Sequence, residues 1–268
     1  MMLTSVHNPK IKDLIRLREG KSHLWPDGFV VEGGREIERA LKHGFELIEL
    51  FFSDGRMPSH DAALLTKLRD RNDFLLTDVS AEVFARLAMR EGSVGLCAVM
   101  RQKAMLLADF SPQPPALLLA LEGLEKPGNL GALLRSADGS GASGVFVLDK
   151  TLNPFHHNIV RASTGALFSI PVVKTDEPGL VDFCRSRDIA LIAASPDATK
   201  PYFEVDLTRP VCFVLGAEDK GLGAGWRTDA VERICLPMRG TCDSLNVSVT
   251  GAILLYEALR QRVNRVRK

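Results

Sequence analysis

Two short stretches of the chain have the glycine spacing of nucleotide-binding loops. GSGASG (139–144) spells G-x-G-x-x-G, and GAEDKG (216–221) has the paired glycines of a phosphate loop. Such loops let backbone amides approach a phosphate, but only where the loop follows a strand and opens a helix. GSGASG does the reverse: it follows the helical pattern of 129–138 and leads into the apolar run GVFVLD (144–149). Its glycines fit a helix C-cap and a tight turn into a strand. GAEDKG is followed by Leu222 and Gly223, so the lysine and hydroxyl residue that hold terminal phosphates and magnesium are missing. A nicotinamide-dependent dehydrogenase loses its main support.

Metal chemistry finds no better footing. Cys97, Cys184, Cys212, Cys235 and Cys242 are scattered and form no C-x-x-C pair, so neither a zinc site nor a disulfide framework is expected. His156 and His157 are adjacent, with no cysteine or carboxylate at ligand spacing, and are read as hydrogen-bonding or surface residues.

More promising chemistry lies in three loops, each expected at the carboxyl end of a strand. EGLEKPGNLGALLRSAD (122–138) follows the buried strand ALLLALEGL (116–124) and opens a helix with Leu130, Leu133, Leu134 and Ala137 on one stripe. Asn129 sits at that helix start, and Arg135 lies off the stripe. LGAEDKGLG (215–223) follows the strand VCFVLG (211–216). LPMRGTCDSLNVSVTGAILLYEAL (236–259) leads from the strand RICLPM (233–238) through Ser244, Leu245 and Asn246 into a final helix expected over 244–262. Taken singly, each loop has a plain structural explanation. Asn129 would cap a helix, Arg135 would pair with Asp138, the glycines of 215–223 would make a surface turn, and Asp243 or Ser244 would cap the final helix. Together at one sheet edge they describe a binding site, because ligands of open α/β sheets sit outside the carboxyl ends of the strands.

The elements that must position these loops are legible as patterns. From 116 onward, apolar strands alternate with helices: 144–149, a largely helical 154–168, a further helix, then IALIAAS (189–195). Strands apolar on both faces imply a parallel sheet covered by helices. Proline-rich DFSPQPP (109–115) marks a linker, taken as 106–115, between an N-terminal domain (1–105) and a second domain (116–268). The N-terminal domain mixes a strand and turn at 28–34, a helix at 35–44, a strand at 46–53, a helix at 61–70 and a strand at 95–100. With 46% hydrophobic and 25% charged residues in 268, the chain has the composition of a soluble protein with a real core. No apolar run is long enough to span a membrane and the start lacks a signal-peptide layout, so a cytoplasmic location is expected. The net charge of +1 excludes a polybasic binder overall, but LRQRVNRVRK (259–268) has five basic residues and no acid. Lys10, Lys12, Arg16, Arg18 and Lys21 form a second basic cluster. Such clusters attract phosphate backbones, or simply make a solvated face.

NLGALLRSA (129–137), LGAEDKGL (215–222) and LPMRGTCDSLNVSV (236–249) resemble the three signature motifs of the SpoU/TrmH family, S-adenosylmethionine-dependent RNA 2′-O-ribose methyltransferases of the SPOUT superfamily. The resemblance covers 116–262, and RASTGALFSIPV (161–172) is similar to the family's intervening segment. FVVEGGREIERALKHG (29–44) is similar to the small α/β RNA-binding domain that many members carry.

The resemblance implies an α/β fold whose parallel sheet ends in a deep C-terminal trefoil knot, plus the N-terminal RNA-binding domain. It implies S-adenosylmethionine held by Leu215, Gly216, Ile234, Leu236, Ser244, Leu245 and Asn246. It places Asn129, Arg135, Glu218, Ser244 and Asn246 at functional positions, with Arg135 foremost, Ser244 and Asn246 orienting the hydroxyl and the loop, and Glu218 ordering the loops. A guanidinium gives up its proton reluctantly, which favours phosphate positioning and charge stabilisation by Arg135 over service as a base. The implied partners are RNA, ribosomal before transfer RNA, and a second copy of the chain; neither metal nor membrane is implied. Two other readings stay open: a SPOUT base methyltransferase, and a non-catalytic RNA-binding or assembly protein of the same fold.

Overall fold

The computed structural model describes residues 2–55, 57–88, 95–149, 151–217 and 219–266. The chain divides into two compact units. The first comprises 1–103 and Phe155–Ser169; the second comprises 104–154 and 170–268.

The first unit is built on a four-stranded mixed sheet of order β1-β4-β2-β3, with β1 Gly28–Glu32, β2 Leu47–Phe52, β3 Leu75–Asp78 and β4 Leu96–Arg101. Strand β4 runs antiparallel to β1 and β2, and β2 pairs β3 in parallel. Helix α1 (Pro9–Arg18) buries Ile11, Leu14 and Leu17 against the sheet residues Val30, Phe51 and Val99, leaving Lys12 and Arg16 exposed. Asn8 caps it, accepting from the Lys10 N–H at 2.9 Å. Helix α2 (Gly34–Lys42) begins where the Gly34 N–H donates to Asp61 of α3 (Ser59–Arg69) at 3.0 Å. Helix α4 (Ala81–Leu87) is capped by Ser80.

Residues 155–169, expected inside the second domain, belong to this unit. The expected helix over 154–168 is two helices, α6 (His157–Ser163) and α7 (Ala166–Ser169), broken at Thr164, whose φ of 48° is left-handed. The Arg39 guanidinium donates to the Thr164 carbonyl. Phe155 and Phe168 close an aromatic cluster with Phe29 and Phe45, ring centroids 4.8 to 6.1 Å apart. His156 caps α6, and His157 Nδ1 donates to the Arg18 carbonyl at 2.9 Å.

The second unit is a six-stranded, wholly parallel sheet of order β10-β8-β9-β5-β6-β7. Its strands are β5 Leu117–Leu121, β6 Gly144–Val147, β7 Val172–Lys174, β8 Ala190–Ala194, β9 Val211–Leu215 and β10 Val231–Ile234. Strands β5, β6 and β9 are buried along their whole length, the mark of a sheet covered on both faces. One face packs Phe110, Phe146 and Phe183 with Leu180 of α8 (Glu177–Arg185). Two further helices, α5 (Pro127–Ser140) and α9 (Val247–Val266), pack on each other, burying Leu130, Leu133, Leu134, Leu254, Leu255 and Ala258.

GSGASG does end a helix and enter a strand. Gly141 adopts the left-handed conformation (φ 73°) at the C-cap of α5, and Gly144 begins β6. Strand β10 starts two residues earlier and ends four residues earlier than the expected 233–238. It pairs β8 from Val231↔Leu191 to Ile234↔Ala194 and stops where β8 stops, freeing Leu236 and Pro237 for the loop. The final helix starts at Val247 rather than 244.

Candidate cofactor cavity at the carboxyl edge of the sheet

Because all six strands are parallel, the segments leaving β5, β8, β9 and β10 share one edge. A cavity of about 380 Å³ opens there. Its floor is the end of β8 (Ala193 to Asp197). One wall is the loop after β9 (Leu215, Gly216, Ala217 and Asp219 to Leu222). The other is the segment after β10, with Leu236, Met238, Asp243, Ser244 and Leu245, ending at Val247 and Thr250 of α9.

The wall after β9 is a tight fold of backbone. Ala217 and Gly221 pair across it, and the Gly221 N–H donates to the Ala217 carbonyl at 3.0 Å. A Cβ on Gly216 would stand 2.3 Å from the Gly221 carbonyl carbon, so only glycine permits this close approach.

Five of the residues expected to hold a cofactor line the cavity: Leu215, Gly216, Leu236, Ser244 and Leu245. Ile234 does not. It is fully buried at the end of β10, and its carbonyl accepts the Ser195 N–H at 2.9 Å, which fixes the cavity floor from behind. Asn246 is also outside the lining. It stands at the N-cap of α9, the place expected for Asp243 or Ser244, and its Oδ1 accepts from the Ser248 N–H at 2.9 Å and the Ser248 hydroxyl at 2.6 Å. The chain before Asn246 must reach the cavity wall, so capping falls to the last residue before the helix. The Asn246 side chain also donates to Oδ1 of Asn129 at 3.4 Å, bringing the third loop against the start of α5.

Asn129 is the third residue of α5 rather than its cap; Lys126 holds the N-cap position without a side-chain capping bond to the helix, and Pro127 starts the helix. Arg135 is exposed on α5, outside the cavity lining, and forms no ion pair with Asp138 among the described residues. Glu218 lies outside the described residues.

Charged groups that sequence reasoning missed complete the rim. Asp197 Oδ1 accepts from Arg233 at 2.6 Å and from the Ser195 hydroxyl, and Arg227 stands 3.9 Å from Oδ2. The Ser195 hydroxyl, then Arg233, hold the Asp197 carboxyl down at about 2. The signal available was the position of Ser195 and Asp197 directly after a strand; that Arg233 would face them follows only from β10 lying beside β8.

Lined by leucines and glycine backbone, with Asp219, Asp243 and Lys220 in its walls and Asp197 already paired with Arg233, the cavity suits a compact ligand with an apolar ring and a polar part carrying both signs of charge.

Comparison with known proteins agrees in kind. Residues 116–256 match the family described as SpoU rRNA Methylase, and residues 8–98 match the MRM3-like substrate binding domain. A 23S rRNA (uridine(2479)-2′-O)-methyltransferase of Streptomyces viridochromogenes is 31% identical over 243 residues, covering 88% of this chain and 84% of the relative. A solved RNA 2′-O ribose methyltransferase superposes with a TM-score of 0.86 at 40% identity, covering 98% of this chain and all of its own. The S-adenosylmethionine-bound rRNA methyltransferase of Sinorhizobium meliloti gives a TM-score of 0.86 at 28% identity, covering 97% of each chain.

Proposed function

The chain belongs to the SpoU rRNA methylase family, and from that premise we propose that it transfers a methyl group from S-adenosylmethionine to a ribose 2′-hydroxyl of ribosomal RNA. The observation that carries this reading is the cavity itself. Leu215, Leu222, Leu236 and Leu245 suit a purine, the carboxylates of Asp219 and Asp243 suit a sulfonium and an ammonium group, and Lys220 suits the cofactor's carboxylate. S-adenosylmethionine supplies a methyl group already activated on its sulfonium.

What remains for the protein is to orient the hydroxyl and stabilise charge. Arg135 supplies an exposed guanidinium for an RNA phosphate and for developing negative charge. Ser244, in the cavity wall, orients the hydroxyl. Asn129 and Asn246 hold α5 and the third loop together, and Glu218 orders the loop after β9. Leu215, Gly216, Leu236, Ser244 and Leu245 contact the cofactor, with Ile234 and Asn246 behind them.

The first unit, 1–103 with 155–169, takes RNA binding and the second takes methyl transfer. The exposed Lys12, Arg16, Lys21 and Arg35 of the first offer charge to the RNA backbone. The C-terminal segment forms the trefoil knot, and the enzyme works as a cytoplasmic homodimer without metal. Val249, Tyr256 and Val263 of α9, exposed at seven-residue spacing, form the apolar stripe that supports dimerisation.

The test is methylation of unmodified ribosomal RNA by the purified protein, followed by alkaline hydrolysis. One protected phosphodiester next to the methylated nucleotide is expected. Methyl incorporation without protection would mean base methylation. Cofactor binding without any incorporation would leave an assembly protein.

A further inference from the structure

Within the loop after β9, Ala217 and Gly221 are tied to each other, and Leu222 beyond them also lines the cavity. The loop's exit is held from outside. The Gly223 N–H donates to Oε2 of Glu122 at 2.9 Å, across 101 residues of sequence. Glu122 follows β5 directly, and its own N–H donates to the Leu215 carbonyl at 2.9 Å. Gly123 then packs against Ala217. One short segment therefore touches the cavity loop at its entry, near its turn and at its exit.

We propose that Glu122 is a positioning residue for the cofactor cavity: its carboxylate clamps Gly223 and so fixes Gly221 and Leu222 in the wall. The inference rests on reading the cavity as the S-adenosylmethionine site. A carboxylate accepting from a backbone amide makes a stronger bond than a neutral pair would. Half-buried Glu122 makes this bond without touching the cavity. No proton moves at Glu122 in this role.

The experiment compares the full-length wild type, Glu122→Gln and Glu122→Ala by calorimetric titration with S-adenosylmethionine and by methylation kinetics. Glutamine keeps an oxygen that accepts from Gly223; alanine does not. Glu122→Ala is expected to raise Kd and KM for the cofactor about 10-fold, with kcat at saturation changed less than about twofold. Glu122→Gln is expected to restore most of the affinity. Gly223→Pro removes the donor instead, at a φ of −59° that proline accepts. It should reproduce the alanine phenotype, and the double variant should be no worse than either single one. Gly223→Pro also stands in if Glu122→Ala does not fold. Equal affinities throughout would overturn the clamp. So would a Glu122→Gln variant that loses kcat at unchanged KM, which would make Glu122 a proton acceptor. Wild-type protein that is folded but does not bind S-adenosylmethionine would instead overturn the reading of the cavity.

Discussion

The two ends of the six-stranded sheet are built differently, and helix α9 takes part in both. At the carboxyl end, where α9 begins, the loops are closed by glycine backbone, the Glu122–Gly223 bond and the 3.4 Å contact of Asn129 with Asn246. At the amino end, where α9 finishes, one side chain gathers four carbonyls. Arg262 donates to Leu207, Pro115, Ala116 and Arg209 at 2.8 to 3.0 Å. Beside it Gln261 accepts from the Leu207 N–H and donates to the Val205 carbonyl. These partners precede β5 and β9, so the strands whose far ends make the cavity are anchored where they start. Burial with neutral partners lowers the pKa of Arg262. The strand starts are tied by side-chain bonds to backbone carbonyls, and the site end keeps the polar and backbone groups a guest would use.

Substitutions at the two ends should therefore have separable effects. Arg135→Ala is expected to lower kcat by more than about 10³-fold, while cofactor affinity stays within about threefold and the melting point does not move. Single-turnover methylation, calorimetry and thermal unfolding check it; joint loss of binding and folding would make Arg135 part of the scaffold. Arg262→Ala is the mirror image. Stranding several backbone carbonyls should cost roughly 3 kcal/mol of stability, read by urea unfolding, with cofactor affinity of the folded fraction unchanged. Lysine should not rescue it, because it lacks the planar fork. A large loss of cofactor affinity would erase the distinction between the ends.

The smallest effect is at the cavity rim. Asp197 is held at about 2 against an ordinary 3.8. A lowered carboxyl contributes stability that is fully present above 3.8 and disappears as the pH falls through about 2. The stability difference between wild type and Asp197→Asn should be constant from neutrality down to about 4 and shrink only below it. A difference that stays unchanged right down to about 2 would show that Arg233 and Ser195 do not hold the carboxylate in solution.

Where one local pattern decided the outcome, the chain was readable. LLLAL, VFV and VCFVL are apolar on both faces and became central parallel strands. Glycines at strand ends marked the cavity loops. What escaped reading depended on neighbours distant in sequence. Helix α1 was masked by charge, because Ile11, Leu14 and Leu17 alternate with lysines and arginines. Strand β3 is a short edge whose Leu75 and Leu76 remain exposed, and β7 has three residues. The terminal basic run looked free for phosphate, yet Arg260 pairs with Glu257, Arg262 holds carbonyls and Arg265 donates to Thr208. The pairing of Arg233 with Asp197 needs β10 beside β8, an order no local pattern announces.

The placement of Phe155–Ser169 with the first unit bears on how such a protein is inherited. Its chain leaves the first unit at 103, returns at 155 and departs again after 169. A gene cut at the linker would deliver neither half whole: the leading fragment would lack two of its four clustered phenylalanines, and the trailing fragment would carry them with nothing to cover them. Exchange of the leading half between relatives would therefore have to carry 155–169 along or re-match it.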